Sequence, residues 1–341
     1  MEALAHVYLK LIFLLQLLSF FLLTCSTMAF HDDESDSAID SWSNSGDSCS
    51  LSPSLLDYRL EDGRTYHAYP DVKYLLPNDE QELNRLDLQH ELFLHIGSRK
   101  LYIAPLPQDV QSVLDLGTGT GIWAIDFADQ HESACVVGLD ISPVQPKFVP
   151  PNCSFYLNDI EKDWMQRGQL DFVHLRDMAT SIRNWHGVFE QAMRHLKPGG
   201  YIELQEFCFP YLCHESWNKS SKILNWSKHY MRACSEIGLN LQAPLKWEED
   251  LRKSGFEDVH IEKRILPLGT WAKGKENKIS GVFALENLLE GVDAMSHVFT
   301  TALGWSKENA ENLAAQVKSE ALRSKVPLFQ YVYFCYARKP E

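Results

Sequence analysis

The sequence lacks the cysteine patterns of metal-binding and disulfide-stapled proteins. Its 341 residues hold eight cysteines, but no CxxC pair and no cysteine–histidine spacing typical of zinc. Some lie inside apolar runs, as Cys135 and Cys335 do, which is typical of buried free thiols. We therefore expect no metal site and a protein that works in a reducing compartment.

An excess of positive charge is also missing. The formal net charge is −14, and the segment 31–62 carries −8 of it, with nine acidic residues and one basic residue, Arg59. The rest of the chain is only mildly acidic and lacks the basic surface that attracts nucleic-acid phosphates. We expect no nucleic-acid partner, which leaves small molecules or proteins.

One long apolar run stands in the N-terminal segment 1–30, between Val7 and Leu23. Its seventeen residues are at the lower limit for a membrane span, which needs about 20. Three interpretations stay open: an export signal, a membrane anchor, or a gene model that starts upstream of the true initiator, Met28. Export is the least favoured, because the cleavage site is poor. Membrane association through residues 7–23 is therefore a candidate property.

Residues 31–62 form a Ser/Asp-rich acidic segment that we predict to be a disordered tail. Order is expected from about Gly63. Asn78 or Asp79 is suited to cap a helix whose apolar stripe includes Leu83 and Phe93.

Beyond residue 111, short apolar strands alternate with helices, which predicts an α/β fold with a parallel sheet and right-handed crossovers. We find no internal repeat. The predicted strands cover residues 112–116, 135–139, 154–157, 171–176, 201–207, 259–266 and 330–337.

A glycine loop follows the first of these strands and opens a helix. Gly117, Gly119 and Gly121 do not fit a dinucleotide fingerprint, because position 122 is Ile, and no P-loop lysine follows. Asp115 beside the loop would repel a pyrophosphate but can bind an ammonium group. Asp140 ends the second strand, where a carboxylate can accept two ribose hydroxyls, and Asp159 follows the third, where it could take an adenine amine. These acids favour S-adenosylmethionine as the ligand.

Longer blocks of sequence carry a resemblance to a known family. From about residue 60 onward the chain resembles the fungal class I S-adenosylmethionine-dependent methyltransferases related to LaeA, a regulator of secondary metabolism. The matching blocks are Tyr66–Tyr69, Leu75–Glu80, Leu86–His90, Val113–Asp129, Asp140–Pro146, Val149–Asn152, His195–Glu206, Asn287–Gly291 and Leu303–Ser306.

The resemblance implies a Rossmann-like seven-stranded sheet whose last strand is antiparallel. It implies an N-terminal helical lid over residues 63–110 and a methyltransferase domain over 111–341, with a helical insert at about 270–326. The cofactor would be S-adenosylmethionine. Its methionine end would lie on Gly117, Gly119 and Gly121, its ribose on Asp140, its adenine on Asp159 and Ile160, and the lid residues Tyr66 and His90 would cover it.

Catalysis needs little more than alignment, because the methyl group of a sulfonium is already activated. Positioning can contribute an effective molarity of about 10⁵ to 10⁸ M, whereas a general base adds about 10² to 10⁴-fold. Glu206, as base, and Arg176, to orient the substrate, are the candidates at strand ends, although an ion pair or a strand cap would equally explain them. We interpret His174 as a packed strand residue and His195 as a surface residue.

A hydrophobic small molecule is the expected acceptor, bound between the lid and the insert. Apolar insert residues suit such a ligand, although packing onto the sheet would explain them equally well. They are Phe283, Leu285, Leu288, Leu289, Met295, Phe299 and Trp305. Two functions stay open: an enzyme that methylates a secondary metabolite, and a LaeA-like nuclear regulator that acts through protein partners. The expected location is the cytoplasm or the nucleus, or a membrane if the N-terminal run is an anchor.

Overall fold

The computed structural model describes residues 58–69, 74–164, 168–214, 221–323 and 326–341. The apolar segment 1–30 and residues 31–57 of the predicted tail lie outside the described residues. Within them, no helix is long and apolar enough to cross a membrane.

A short hairpin corrects the predicted extent of the disordered tail. Strand β1 (Arg59–Glu61) pairs antiparallel with β2 (Arg64–Tyr66). The two residues between them, Asp62 and Gly63, have φ angles of 51° and 80°. A two-residue Asp-Gly loop with both φ positive is a favoured hairpin turn, because its twist matches that of the strands. Order therefore includes residues 58–62.

Seven further strands form the central sheet, in the spatial order β5-β4-β3-β6-β7-β9-β8. Their bounds are β3 Ser112–Leu116, β4 Cys135–Asp140, β5 Cys153–Leu157, β6 Leu170–Arg176, β7 Leu196–Leu212, β8 Glu257–Pro267 and β9 Phe329–Arg338. Strands β5, β4, β3, β6 and β7 are parallel to one another. Strand β9 runs antiparallel between β7 and β8, which confirms the predicted seven-stranded fold with its last strand reversed.

The register of the central strands locates the candidate site. Asp115 on β3 lies opposite Gly138 on β4 and His174 on β6. The carboxyl ends of these three parallel strands therefore meet at one edge, where an open α/β sheet binds its ligand.

Seven α-helices are described. Their bounds are α1 Glu80–Ile96, α2 Ile122–Gln130, α3 Trp185–His195, α4 Lys222–Glu236, α5 Trp247–Lys253, α6 Lys275–Leu303 and α7 Lys307–Arg323. Helix α1 begins after Asp79, whose carboxylate accepts the backbone N–H of Glu82 at 3.1 Å, so the predicted cap is confirmed. Helices α6 and α7 precede β9 and pack on each other, and α6 also packs on α1 and α4.

The core lies on both faces of the sheet. On one face it includes Trp123 and Phe127 of α2, and on the other Trp226 of α4 and Trp247 of α5, all nearly inaccessible to solvent. All six cysteines among the described residues are free thiols, and four of them are buried.

Candidate functional site

The glycine loop between β3 and α2 borders a cavity at the carboxyl edge of the sheet. Gly117, Gly119 and Gly121 have φ angles of 69°, 58° and 83°, a region that residues with a Cβ avoid. A Cβ on Gly117 would lie 2.3 Å from the sulfur of Met178, and one on Gly121 would lie 2.4 Å from the ring of Phe155. The loop therefore needs glycine for both conformation and space.

Asp140 ends β4 beside this loop. Its Oδ2 accepts the backbone N–H of Gly119 at 2.8 Å, and its Oδ1 accepts that of Ser142 at 2.9 Å. Burial raises the pKa of Asp140 to about 6, although these N–H groups oppose the shift. The backbone N–H of Ile141 also favours the ionised form, and the four lone-pair sites of a carboxylate leave room for a further hydrogen bond from a ligand.

Asp115 lies deeper in the same wall and is 3 % exposed. Its Oδ2 accepts the hydroxyl of Thr118 at 2.6 Å, and its Oδ1 lies 2.7 Å from Nδ1 of His174. The His174 ring stacks on Trp123, with 3.7 Å between centroids and 4° between planes. His174 is packed inside its strand, as interpreted, and it also lines the cavity together with Trp123.

Asp159 and Ile160 follow β5 and line the other end of the cavity. The Asp159 side chain accepts the N–H of Glu161 at 3.0 Å, and Ile160 is buried. Asp140 thus lies between these residues and Asp115 in the order of the strands. Their predicted contacts with adenine stay a prediction.

The opposite wall comes from the segment 74–89, which leads into and includes the first turns of α1. Tyr74, Asn78, Leu86 and Gln89 line the cavity there. Both amide atoms of Asn78 are buried and have no partner among the described residues. A buried polar group without a partner is costly, so Asn78 is a further candidate for ligand contact.

His90 is not among the residues that line the cavity, and its expected contact with the cofactor stays a prediction. Its Nε2 lies 3.0 Å from Oδ2 of Asp126, and its Nδ1 accepts a hydrogen bond from Arg176 at 2.9 Å. Burial, and then the charge of Arg176, lower the pKa of His90. His90 therefore holds Arg176, and Arg176 itself lines the cavity. Burial lowers the pKa of Arg176 to about 10.

Tyr66 also lies away from the glycine loop. It borders a second cavity, between the β1–β2 hairpin and helices α6 and α7, where its ring centroid is 6.4 Å from that of His297. The hairpin directs Tyr66 toward the insert, so its predicted cofactor contact does not match this structure.

Glu206 is buried inside β7, opposite Tyr333 of β9, and is not among the residues that line the cavity. It accepts the N–H of Ala179 at 2.8 Å and that of Phe207 at 3.1 Å. Burial and the nearby Asp177, to which it is hydrogen-bonded, raise the pKa of Glu206 well above its usual range. These backbone and carboxyl contacts fit a structural role for Glu206 better than a base in direct contact with substrate.

Asp177 occupies the position expected of that base. It directly follows β6, lines the cavity, and has a φ angle of 55°, which is uncommon for a residue other than glycine. Gln89 donates a hydrogen bond to its Oδ2 at 2.7 Å. Unusual backbone conformations of this kind persist where surrounding contacts enforce them, often at functional sites.

The insert does not supply the cavity wall. Leu288 and Phe299 are almost fully buried, and Phe283, Leu285, Met295 and Trp305 pack against the same core. Leu289 is half-buried, and none of the seven residues lines the cavity beside the glycine loop. The packing alternative therefore explains them, because α6 must cover α1 and α4.

These features fit S-adenosylmethionine. The backbone of the glycine loop lines the cavity, Asp140 can accept a further hydrogen bond, and Nε2 of His174 is buried with no partner among the described residues. Among those residues no cluster of three or more metal-ligating side chains is found.

Comparison with known proteins agrees with this geometry. A family model described as a methyltransferase domain matches residues 88–261. This chain belongs to that methyltransferase family. It is 37% identical over 295 residues to methyltransferase pytC of Aspergillus terreus, which covers 85% of this chain and 91% of that protein. It is 33% identical over 314 residues to the protein-methionine methyltransferase laeA of Emericella nidulans, which covers 88% of this chain and 82% of that protein.

The chain is also similar to a solved structure, that of phosphoethanolamine N-methyltransferase 2 of Haemonchus contortus with S-adenosyl-L-methionine. The TM-score is 0.48 and the sequence identity is 20%, and the match covers 81% of this chain and 62% of that one. The predicted resemblance to the LaeA-like methyltransferases is confirmed, and the chain is a methyltransferase whose methyl donor is S-adenosylmethionine.

Three cavity residues were missed by sequence reasoning. Asn78 and Gln89 lie in blocks that carry the family resemblance, but Asn78 is considered there only as a helix cap and Gln89 is given no role. Asp177 follows Arg176 at the end of β6, and the rule that selected Arg176 as a strand-end residue applied equally to its neighbour.

Proposed function

We propose that this methyltransferase modifies a hydrophobic small molecule of fungal secondary metabolism. The observation that carries the proposal is that Arg176 and Asp177 line the same cavity as the glycine loop. Polar groups able to hold an acceptor therefore stand beside the donor site inside the protein. The similarity to pytC over 91% of its length supports a related role.

In this proposal Asp177 is the cavity-facing carboxylate that receives the acceptor's proton, and Arg176 orients the acceptor. The glycine loop, Asp140, Asp159 and Ile160 hold the methyl donor. Residues 63–110 act as a lid through the segment 74–89. The free thiols agree with a reducing compartment, the cytoplasm or the nucleus.

Metabolite profiling of a deletion strain tests this function. The expected result is the accumulation of one compound that lacks a methyl group, which the purified full chain then methylates with S-adenosylmethionine. Asp177→Asn should slow this reaction by about 10² to 10⁴-fold and leave S-adenosylhomocysteine affinity unchanged. Asparagine tolerates the positive φ at position 177, so the fold is kept. Turnover near the wild-type rate in Asp177→Asn would remove the proposed base.

A second candidate function is that of a LaeA-like regulator. It is supported by similarity to laeA of Emericella nidulans over 82% of that protein, whose name gives a protein methionine as the acceptor. A regulator would act through protein partners in the nucleus. Loss of many unrelated metabolites in the deletion strain, without accumulation of one precursor, would favour this function over the first.

A further inference from the structure

The buried histidine of β6 has one ring nitrogen that the protein leaves unused. His174 is 0 % exposed, and its Nε2 has no hydrogen-bond partner among the described residues. The same side chain lines the cavity at the glycine loop. A buried nitrogen without a partner is costly unless a ligand or water completes it.

The other ring nitrogen defines what Nε2 can do. Nδ1 lies 2.7 Å from Oδ1 of Asp115, and an ionised carboxylate only accepts hydrogen bonds. Nδ1 therefore carries the hydrogen, and in the neutral ring Nε2 presents a lone pair. Stacking on Trp123 fixes the plane of the ring and so the direction of that lone pair.

The neutral form is favoured by the surroundings. Burial lowers the pKa of His174, and so do the charges of Arg176 on the same strand and of His90 on α1. Asp115 on β3 acts in the opposite direction. Trp123 of α2, which covers the ring, carries no charge.

A hydrogen-bond donor is thus required at the deep end of the cavity, next to Asp115. The adenine and ribose of S-adenosylmethionine are assigned above to Asp159 and Asp140, and the carboxylate of its methionine end only accepts hydrogen bonds. Its ammonium group has three N–H donors. We propose that Nε2 of His174 accepts a hydrogen bond from this ammonium group, and that His174 is a cofactor-binding residue.

This assignment rests on the proposed placement of the methyl donor, with its methionine end at the glycine loop. It differs from a role for His174 in orienting Asp115 alone. In the first case the protein needs Nε2, and in the second it needs only Nδ1.

Two substitutions separate these cases. Asparagine places an amide near Nδ1, so His174→Asn keeps the donor to Asp115 and removes the acceptor. Glutamine reaches the position of Nε2, so His174→Gln keeps an acceptor there and weakens the contact with Asp115.

Calorimetry with the full chain would compare two ligands, S-adenosylhomocysteine and 5′-methylthioadenosine, which lacks the methionine carboxylate and ammonium. We expect His174→Asn to bind S-adenosylhomocysteine about 10- to 100-fold more weakly, as for a lost hydrogen bond to a charged group. Its affinity for 5′-methylthioadenosine should match the wild type, and His174→Gln should retain most of its affinity for both ligands.

A pH series adds a readout that a structural role would not give. Protonation of His174 removes the lone pair. In the wild type, the affinity for S-adenosylhomocysteine divided by that for 5′-methylthioadenosine should therefore fall as the pH is lowered. Asp140 contributes equally to both ligands and cancels from this ratio. The ratio should be nearly independent of pH in His174→Gln.

Unchanged affinity for S-adenosylhomocysteine in His174→Asn would overturn the proposal. Equal weakening of both ligands would also overturn it, because it indicates a structural role. If the wild type bound 5′-methylthioadenosine but gained nothing from the methionine end, the donor would still be bound and this inference alone would fail. If neither ligand bound the wild type, the placement of the donor itself would be wrong.

Discussion

The two walls of the main cavity are built in different ways. The strand-end wall, residues 115–120, 140–142 and 174–177, contains polar atoms with unused bonding capacity, such as the buried Nε2 of His174 and the carboxylate of Asp140. In the helical wall, residues 74–89, polar side chains are largely hydrogen-bonded to one another. Arg85 donates to Glu82 at 2.7 and 3.0 Å and to Gln89 at 2.7 Å. The amide of Asn78 and Oδ1 of Asp87 are exceptions, because they are buried with no hydrogen-bond partner among the described residues.

This difference separates binding from stability. Unused acceptors at the strand ends indicate a surface prepared for a ligand. A buried ion pair that is fully hydrogen-bonded indicates a surface that holds the fold, because removing one partner leaves an uncompensated charge. Substitutions in the strand-end wall should therefore change affinity, and those in the helical wall should change the free energy of unfolding.

The largest expected effect lies in the helical wall, at Arg85. Arg85→Met leaves the carboxylate of Glu82 buried and unpaired, and we expect the free energy of unfolding to fall by about 3–5 kcal/mol. Denaturant unfolding measures this loss. Arg99→Met is the matched control, because Arg99 pairs with Glu91 at the surface and should change stability by only about 0.5 kcal/mol. Equal losses in the two variants would break the distinction between the walls.

Gly121 offers the next test, at the junction between the glycine loop and α2. Gly121→Ala combines a positive φ with a Cβ that would lie 2.4 Å from Phe155, so the loop must shift and S-adenosylhomocysteine should bind at least about tenfold more weakly. Gly63→Ala meets the same kind of φ, 80°, with nothing within 4 Å. It should cost about 1–2 kcal/mol of stability at most and no affinity. Calorimetry measures the affinity of both variants, and denaturant unfolding measures their stability. A loss of affinity in Gly63→Ala as large as that in Gly121→Ala would contradict the prediction.

Asp140 predicts a pH dependence of cofactor binding. Its pKa of about 6 means that the carboxylate becomes protonated as the pH falls from 7.5 to 5.5, so affinity for 5′-methylthioadenosine should fall over that range. Asp140→Asn should bind about tenfold more weakly at pH 7.5 and show little pH dependence.

The free energy of unfolding of the ligand-free protein should instead rise as the pH falls. A carboxyl whose pKa is higher in the folded state destabilises the fold when it is ionised, so this contribution is lost as the pH falls through 6. The free energy of unfolding of the wild type should therefore rise relative to that of Asp140→Asn between pH 7.5 and pH 5.5. A constant difference would contradict the assigned pKa.

The smallest effect is expected at Gln145, which supports the glycine loop. Its Nε2 donates to the carbonyl of Gly119 at 2.7 Å and to that of Ser142 at 3.0 Å. Gln145→Ala should reduce S-adenosylhomocysteine affinity by a few fold, as for about 1 kcal/mol. Gln81→Ala, which removes an exposed contact with Glu290, should leave affinity unchanged. Similar effects in both variants would show that the loop needs no such support.

The same contrast explains what the sequence could predict. Strand ends and glycine loops follow local rules, so Asp115, Asp140 and the three glycines were found, together with the seven-stranded sheet. The helical wall depends on contacts between residues far apart in the chain. Gln89 reaches Asp177 across 88 positions, and Arg85 reaches Asn287 across 202. No local pattern reveals such contacts, so the surroundings of Tyr66, His90 and Glu206 could not be predicted from the sequence.

The contact between Gly269 and Gly281 gives the insert a property of its own. The N–H of Gly269 donates to the carbonyl of Gly281 at 2.8 Å, and a Cβ on Gly281 would lie 2.0 Å from the carbonyl oxygen of Gly269. Helix α6 is therefore attached backbone to backbone at the end of β8. The same helix carries Asn287, which accepts a hydrogen bond from Arg85 at 2.7 Å.

Since Arg85 also holds Gln89, and Gln89 holds Asp177, the insert is joined to the cavity through side chains. A chimera that exchanges α6 between relatives would have to carry residues 82–89 and 267–291 together. The insert is thus coupled to the cavity wall, and the two cannot be exchanged independently.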